Sequence, residues 1–132
     1  MRNTFHKKER LCSTKIIADL FENGNIFYTT HLKVIWAKSP VEIPFPVQVA
    51  ISVSKKTFKS AVTRNLIRRR IREAYRLNKN RLYDYLISEN IQISLIVIFR
   101  CDKITDYFTI EKSVLAMIDQ IMIRVKQNDK KC

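Results

Sequence analysis

The sequence predicts an α+β fold in which helices pack against a single β-sheet, and three patterns favour it. Residues 47–54 alternate between large apolar and small or polar side chains, which is typical of a half-buried strand. Residues 91–99 are nearly all apolar and rich in β-branched side chains, as expected for a strand covered on both sides. Apolar side chains between Ile110 and Val125 recur at helical spacing, which indicates a long helix with one buried side.

The elements are predicted in the order α-β-β-α-β-α. Helices are expected at about 14–23, 61–77, 81–88 and 110–126, and strands at about 26–37, 47–54 and 91–99. The first strand becomes two if the chain breaks near Thr30. Ser13 is placed to cap the first helix and Gly24 to stop it, and either Asp106 or Thr109 can cap the last one.

A chain of 132 residues with 46% hydrophobic composition fits one globular domain spanning residues 1–132. Residues 1–12 are predicted to form a basic arm that is mobile at its start, and residues 127–132 a frayed polar tail. The sequence has neither a run of about 18 apolar residues nor the apolar segment of a signal peptide. We therefore expect a cytoplasmic protein that does not cross a membrane.

Positive charge is concentrated between Ser54 and Arg76. This segment holds nine Lys and Arg residues and one acid, Glu73, so it carries +8 of the chain's net charge of +13. On a helix, its apolar residues gather on one side and its arginines fill an adjoining arc. Crowded arginines repel each other unless a polyanion neutralises them, and their planar guanidinium groups suit phosphate oxygens. The segment therefore predicts binding to nucleic acid, and the Asn65 amide suits a ribose hydroxyl or a base edge.

The sequence lacks the residue clusters that are typical of catalytic and metal sites. Its acidic residues are scattered, and the two histidines, His6 and His31, stand alone. A single glycine provides no phosphate-cradling loop. The cysteines at 12, 101 and 132 lack the spacing of a zinc site, and we expect them to be reduced. These features indicate a binding surface with neither catalytic residues nor a metal site of its own.

Two stretches of the chain form a longer pattern. The first reads Val53-Ser54-Lys55-Lys56, then Ala61-Val62-x-Arg64-Asn65-x-x-x-Arg69-x-x-x-Glu73. The second reads Arg10-Leu11, then Lys15, Phe21 and Gly24. Together they resemble the protein subunit of bacterial ribonuclease P. Two positions depart from that family's pattern: Phe58 stands where a glycine is usual, and Ile17 stands where the first of two aromatic residues is usual.

The resemblance implies a fold, an activity and two partners. The fold is an α/β sandwich with a four-stranded mixed sheet and a left-handed βαβ crossover, similar to the second domain of a small-subunit ribosomal protein. The activity is removal of the 5′ leader from precursor tRNA by a ribonucleoprotein endonuclease. Its catalytic RNA subunit performs Mg2+-dependent hydrolysis and holds most of the magnesium. The protein would bind that RNA and the single-stranded leader, but neither DNA nor a membrane, and no residue of the protein would be catalytic.

The charge pattern and the resemblance together assign residues to two surfaces. The surface for the catalytic RNA is expected to comprise Lys55, Lys56, Lys59, Arg64, Asn65, Arg68, Arg69, Arg72 and Arg76. The resemblance implies a leader cleft lined by Arg10, Ile17, Phe21, Val34, Trp36 and Arg100. Aromatic side chains in such a cleft would stack on unpaired bases of any sequence.

Two alternatives remain open at this point. A ribosomal or general RNA-binding protein would have the same charge and the same lack of a catalytic site. A basic amphipathic helix that meets a membrane or a calmodulin-like partner would need bulky apolar side chains exposed opposite the charge.

Overall fold

The computed structural model describes residues 5–130, which form four α-helices and four β-strands after a short 3-10 turn at Lys7–Glu9. The helices are α1 (Thr14–Asn23), α2 (Ala61–Asn78), α3 (Asn80–Ser88) and α4 (Tyr107–Lys130). The strands are β1 (Asn25–Tyr28), β2 (Leu32–Lys38), β3 (Val47–Val53) and β4 (Ile93–Phe99). All the predicted helices and strands are therefore present.

The four strands form one mixed sheet in the order β1-β2-β4-β3. Strand β2 pairs antiparallel with β1 and β4, whereas β3 pairs parallel with β4. Parallel neighbours need a crossover connection, and α2 and α3 provide it between β3 and β4. The predicted α+β class with a four-stranded mixed sheet is confirmed, and the left-handed sense of the crossover stays a prediction.

The break predicted near Thr30 separates β1 from β2. The backbone N–H of Thr29 donates to the carbonyl of Leu32 at 2.9 Å, which closes the turn. Gly24 ends α1 with an ordinary negative φ of −71°, so it is not needed for left-handed backbone. It is needed for space, because a Cβ at this position would lie 2.5 Å from the carbonyl oxygen of Leu20 and 2.6 Å from Cγ2 of Ile35.

The two faces of the sheet are covered differently. Helices α2, α3 and α4 pack on one face, which we call the closed face, and bury the side chains of Val34, Trp36 and Leu95. Helix α1 lies on the other face, which we call the open face, and buries Ile35 and Ile96 in a smaller cluster. Neighbouring residues such as Ile35 and Trp36 fall in different clusters because side chains alternate across a strand.

Both chain ends contain regular structure within the described residues. The later part of the basic arm packs on the domain, since the Leu11 side chain is buried and its N–H donates to the carbonyl of Val49 at 2.9 Å. Residues 1–4, where mobility was expected, lie outside the described residues. Helix α4 continues to Lys130, and the frayed tail expected at residues 127–132 stays a prediction. Residues 131 and 132 lie outside the described residues.

Candidate RNA-binding surfaces

Helix α2 carries the concentrated positive charge and packs on the closed face through its apolar side. The Ser60 hydroxyl caps it by accepting from the Thr63 N–H at 3.4 Å. Its apolar residues are buried as the helical spacing predicted: Ile67, Ile71, Ala74 and Tyr75. That burial argues against the membrane-binding alternative, because the main apolar side of the helix is already covered by the core.

The outward side of α2 presents Asn65, Arg68 and Arg69. Asn65 and Arg69 are exposed, and Arg68 is half-buried. The Arg68 guanidinium donates to Oδ1 of Asn65, one helical turn away. Since this bond occupies the amide oxygen, the Asn65 NH2 group is the part of the side chain that can donate to a ligand.

A second group of arginines lies at the edge of β3. Arg10, Arg68 and Arg72 line an open groove together with Val49, Ala50 and Ile51, and we call it the arginine groove. Burial lowers the pKa of Arg72, and the positive charges of Arg10, Arg68 and Arg69 lower it further. The groove therefore gathers like charges at a partly buried position, where an anion would relieve the repulsion. Arg10 was assigned to the leader cleft, but the structure places it beside α2.

The loop between β3 and α2 presents Lys55, Lys56 and Lys59, which are all exposed. Arg64 holds this loop in place, because its Nη1 donates to the carbonyl oxygens of Phe58 at 2.8 Å and Lys59 at 3.1 Å. The Phe58 side chain fills the core, with its ring centroid 6.1 Å from that of Phe99. Phe58, which stands where the family usually has glycine, thus anchors the loop that carries the three lysines.

Two other arginines of α2 are engaged within the protein. Arg76 forms an ion pair with Glu73, with Nη2 and Oε1 2.5 Å apart. The hydrogen bond from Arg76 lowers the pKa of Glu73, and the same bond raises the pKa of Arg76. Arg70 donates to the carbonyl oxygen of Thr105 at 2.6 Å, which ties α2 to the segment before α4. Arg76, which was assigned to RNA binding, therefore shares its charge with a carboxylate.

The open face has two parallel rows of side chains. The row formed by Ile26, Ile35, Ile96 and Ala50 includes the residues that α1 covers. The next row, which we call the exposed row, consists of Tyr28, Lys33, Ile98 and Ser52. Tyr28 is 56% exposed, and the Arg100 guanidinium carbon lies 4.5 Å from the centroid of its ring. Phe21, on α1, is 54% exposed, so it is not a core residue.

The prediction that Val34 and Trp36 line the leader cleft is wrong. Both side chains are at most 1% exposed, and both belong to the core of the closed face. The residue of β2 that meets α1 is Ile35. Ile17 is half-buried beside this smaller cluster, on α1 with Phe21.

Tyr28 and the other members of the exposed row were not predicted as site residues from the sequence. The alternation of Ile26 and Tyr28 could have found Tyr28 once β1 was separated from β2 at Thr30. Lys33, Ser52 and Ile98 had no comparable signal, because their place beside Tyr28 depends on the order and register of the strands.

Across residues 5–130, no helix is both long and apolar enough to span a bilayer. In the same part of the chain, no three His, Cys, Asp or Glu side chains are grouped so that they could hold a metal ion. Cys12 is exposed and Cys101 is half-buried, and both are free thiols. Cys132 lies outside the described residues.

Comparison with known proteins identifies the family. A family model described as ribonuclease P matches residues 5–122. The chain belongs to the ribonuclease P protein family. It is 32% identical over 122 residues to the ribonuclease P protein component of Porphyromonas gingivalis, covering 92% of this chain and 86% of the relative. It is 31% identical over 121 residues to that of Petrotoga mobilis, covering 89% and 95%.

Solved structures of ribonuclease P proteins share the fold. The Staphylococcus aureus protein superposes with a TM-score of 0.68 at 25% identity, covering 87% of this chain and 95% of that one. The Thermotoga maritima protein gives a TM-score of 0.67 at 21% identity, covering 84% and 96%, and at that identity it supports the fold alone. As a member of the family, the chain is a component of ribonuclease P, an endoribonuclease complex of tRNA 5′ processing, and it associates with the ribonuclease P RNA.

Proposed function

We propose that this protein binds the ribonuclease P RNA through α2 and the arginine groove, and the single-stranded 5′ leader of precursor tRNA through the open face. The RNA subunit performs the Mg2+-dependent hydrolysis, and the protein raises the affinity for substrates that carry a leader. The observation that carries the proposal is the crowding of Arg10, Arg68 and Arg69 around Arg72, whose pKa is lowered first by burial and then by these three charges. Repelling charges at the surface of a folded domain are typical of a site for a polyanion.

The surface for the ribonuclease P RNA extends from the arginine groove to the loop before α2. Arg69, Asn65 and the loop lysines are exposed and face solvent, so they can reach phosphates without rearrangement. Arg64 contributes by holding the loop, since its guanidinium already donates to two carbonyl oxygens there. Arg76 contributes less than the other arginines, because Glu73 neutralises part of its charge.

The leader surface combines aromatic and basic side chains on the open face. Tyr28 offers an exposed ring that Arg100 supports from one side, and Lys33 is its direct neighbour across the strand pair. Phe21 and Ile17 on α1 extend this surface. Stacking contributes about 1–3 kcal/mol per base and tolerates any base, as a surface for leaders of different sequence requires.

Salt dependence of RNA binding tests the surface on α2. Arg69→Ala should reduce the slope of log K against log [salt] for the ribonuclease P RNA by about one, because one phosphate contact is lost. Arg81→Ala is the matched control, since it removes the same charge from an exposed ion pair with Asp119 on the α3–α4 side. Equal changes of slope in the two variants would contradict direct contact by Arg69.

A comparison of precursor and mature tRNA tests the leader surface. Phe21→Ala in the reconstituted holoenzyme should weaken binding of precursor tRNA and leave mature tRNA unaffected. Phe108→Ala is the control, because it removes an equally large exposed ring from α4 on the closed side of the sheet. Equal losses for the two tRNAs would exclude a leader contact by Phe21.

Reconstitution separates this proposal from a general RNA-binding protein. Adding the protein to ribonuclease P RNA at low magnesium should raise the rate of leader cleavage, because neutralised phosphates let the RNA fold and hold magnesium. A general RNA-binding protein would bind the RNA without that gain.

A further inference from the structure

A buried ion pair joins the N-terminal segment to the junction of α2 and α3. The Glu9 carboxylate and the Lys79 ammonium are 2.5 Å apart, and their side chains are 1% and 3% exposed. Tyr83 donates its hydroxyl to the same carboxylate oxygen at 2.6 Å, and the backbone N–H of His6 donates to the other oxygen. The carboxylate thus receives three hydrogen bonds from groups of the protein.

Aromatic rings enclose the ammonium group of Lys79. Its Nζ lies 5.0 Å from the centroid of the Tyr83 ring and 5.9 Å from that of Phe5. The hydroxyl groups of Tyr75 and Tyr83 are 3.1 Å apart. Burial raises the pKa of both phenols, so both are protonated at neutral pH and can donate.

An ion pair in this position is not explained by stability alone. Moving two charges out of water is costly, and apolar residues of similar volume often give equal or greater stability. Buried ion pairs can instead specify one arrangement of the chain, because a charge left without its partner is strongly unfavourable. The arrangement that this pair specifies is the docking of residues 5–12 against α2 and β3.

That docking places the positive charge of Arg10 beside the positive charges of Arg68 and Arg72, which repel it. Arg10 follows Glu9 directly, and its backbone forms a parallel bridge with Val49 at the edge of β3. Arg10 lines the arginine groove with Arg68 and Arg72, and its guanidinium carbon lies 5.8 Å from the centroid of the Phe5 ring. Repulsion from those two arginines favours the state in which residues 5–12 are not docked at the groove. Docking therefore needs a stabilising contact close to Arg10.

We propose that Glu9 and Lys79 form a positioning lock that holds Arg10 in the arginine groove for RNA binding. This inference rests on the proposed role of the groove in binding the ribonuclease P RNA. Glu9 itself is buried and touches no RNA; it acts through the residue that follows it. The lock also joins two distant parts of the sequence, since Lys79 ends the helix that supplies Arg68 and Arg72.

A double-mutant cycle tests the lock. Glu9→Gln combined with Lys79→Met removes the ion pair but leaves the net charge of the protein unchanged. We expect this neutral pair to lower the affinity for ribonuclease P RNA about threefold to tenfold at physiological salt and to reduce the salt slope by about one. Arg10→Ala should cause a similar loss, and adding the neutral pair to Arg10→Ala should cause no further loss.

Two further variants separate positioning from folding. Val114→Ala opens the core under α4 and should reduce stability without changing the salt slope. Tyr83→Phe removes one hydrogen bond from Glu9 and should give a smaller loss of affinity in the same direction, even if the neutral pair fails to fold. Amide exchange of Leu11, whose N–H bonds to Val49, should accelerate in Tyr83→Phe more than in Val114→Ala.

The outcomes distinguish the two proposals. An unchanged affinity and slope in both the neutral pair and Tyr83→Phe would overturn the lock, and so would losses that add to that of Arg10→Ala. If Arg10→Ala itself left the affinity unchanged, the proposed role of the arginine groove would be wrong, and the lock would fall with it.

Discussion

The two faces of the sheet are made from the same strands but are covered to different extents. On the closed face, α2 and α4 bury almost every strand side chain, with Leu32, Val34 and Trp36 at most 1% exposed. On the open face, α1 has only ten residues and buries Ile35 and Ile96 while Tyr28 stays exposed. One sheet thus has a buried face that holds the main core and an exposed face that carries the surface we propose for the leader.

Strand β4 shows where the division lies. All its residues are buried except Ile98, which belongs to the exposed row. Ile96, two residues earlier on the same face, lies beneath α1. Ile98 is half-buried against the cluster beneath α1, whereas Tyr28 and Ser52 in its row are exposed, so substitutions at Tyr28 and Ser52 should affect binding more than folding.

The largest expected effect is on the closed face. Trp36→Ala removes a fully buried ring and should lower the free energy of unfolding by about 3–5 kcal/mol. Urea denaturation followed by circular dichroism measures this loss. A loss below about 1 kcal/mol would show that the closed face is not the main source of stability.

The matching substitution on the open face should act on binding. Tyr28→Ala should weaken binding of precursor tRNA to the holoenzyme by about 1–3 kcal/mol, the contribution of one stacked base. The free energy of unfolding should change by no more than about 0.5 kcal/mol, because the side chain is largely exposed. Tyr28→Phe is the control and should bind normally, since it keeps the ring. Equal weakening for mature tRNA would contradict a leader contact.

Arg72→Met should raise the stability of the free protein and weaken its binding to ribonuclease P RNA. The lowered pKa of Arg72 means that the fold disfavours its charged form, so removing the charge should raise the Tm of the free protein. The same change should weaken binding of ribonuclease P RNA, because a charge of the arginine groove is lost. Scanning calorimetry and filter binding on the same preparation check both. A lower Tm with unchanged RNA binding would place Arg72 outside the RNA surface.

The smallest expected effect is the pH dependence of the cap on α4, the helix that covers the closed face. Asp106 caps it by accepting from the backbone N–H of Thr109 at 3.4 Å and also accepts from the Thr109 hydroxyl at 2.5 Å. The hydroxyl bond first, and the backbone bonds after it, lower the pKa of Asp106 below its ordinary value of 3.8. A lowered pKa gives stability that is present above about pH 4 and is lost as the pH falls through the folded value. The Tm of Asp106→Asn should therefore approach that of the original protein as the pH falls from 6 to 3. A constant difference would contradict this role, and RNA binding at neutral pH should not change.

Local periodicity predicted the elements and the buried side of α2. Ile67 and Ile71 are buried and Arg69 is exposed, as helical spacing indicated. One turn of a helix takes fewer than four residues, so a short stretch of sequence is enough to show which face is apolar. The same reasoning failed for β2, in which Val34, Ile35 and Trp36 are all apolar. Where both faces of a strand are covered, alternation cannot tell which helix each side chain will meet.

The sequence alone determined the elements, the concentration of charge between Ser54 and Arg76, and the family resemblance that the comparisons then established. Only the tertiary structure decided that Arg10 joins the arginines of α2, that Arg64 holds a loop, and that Tyr28 lies on the open face. It also brought Glu9 to Lys79, 70 positions away in the chain. The physical reason is the sequence distance over which each effect acts. Spacing along the chain determines the face of a helix or strand on which a side chain lies. The order of the strands and the docking of the helices determine which distant residues that side chain contacts.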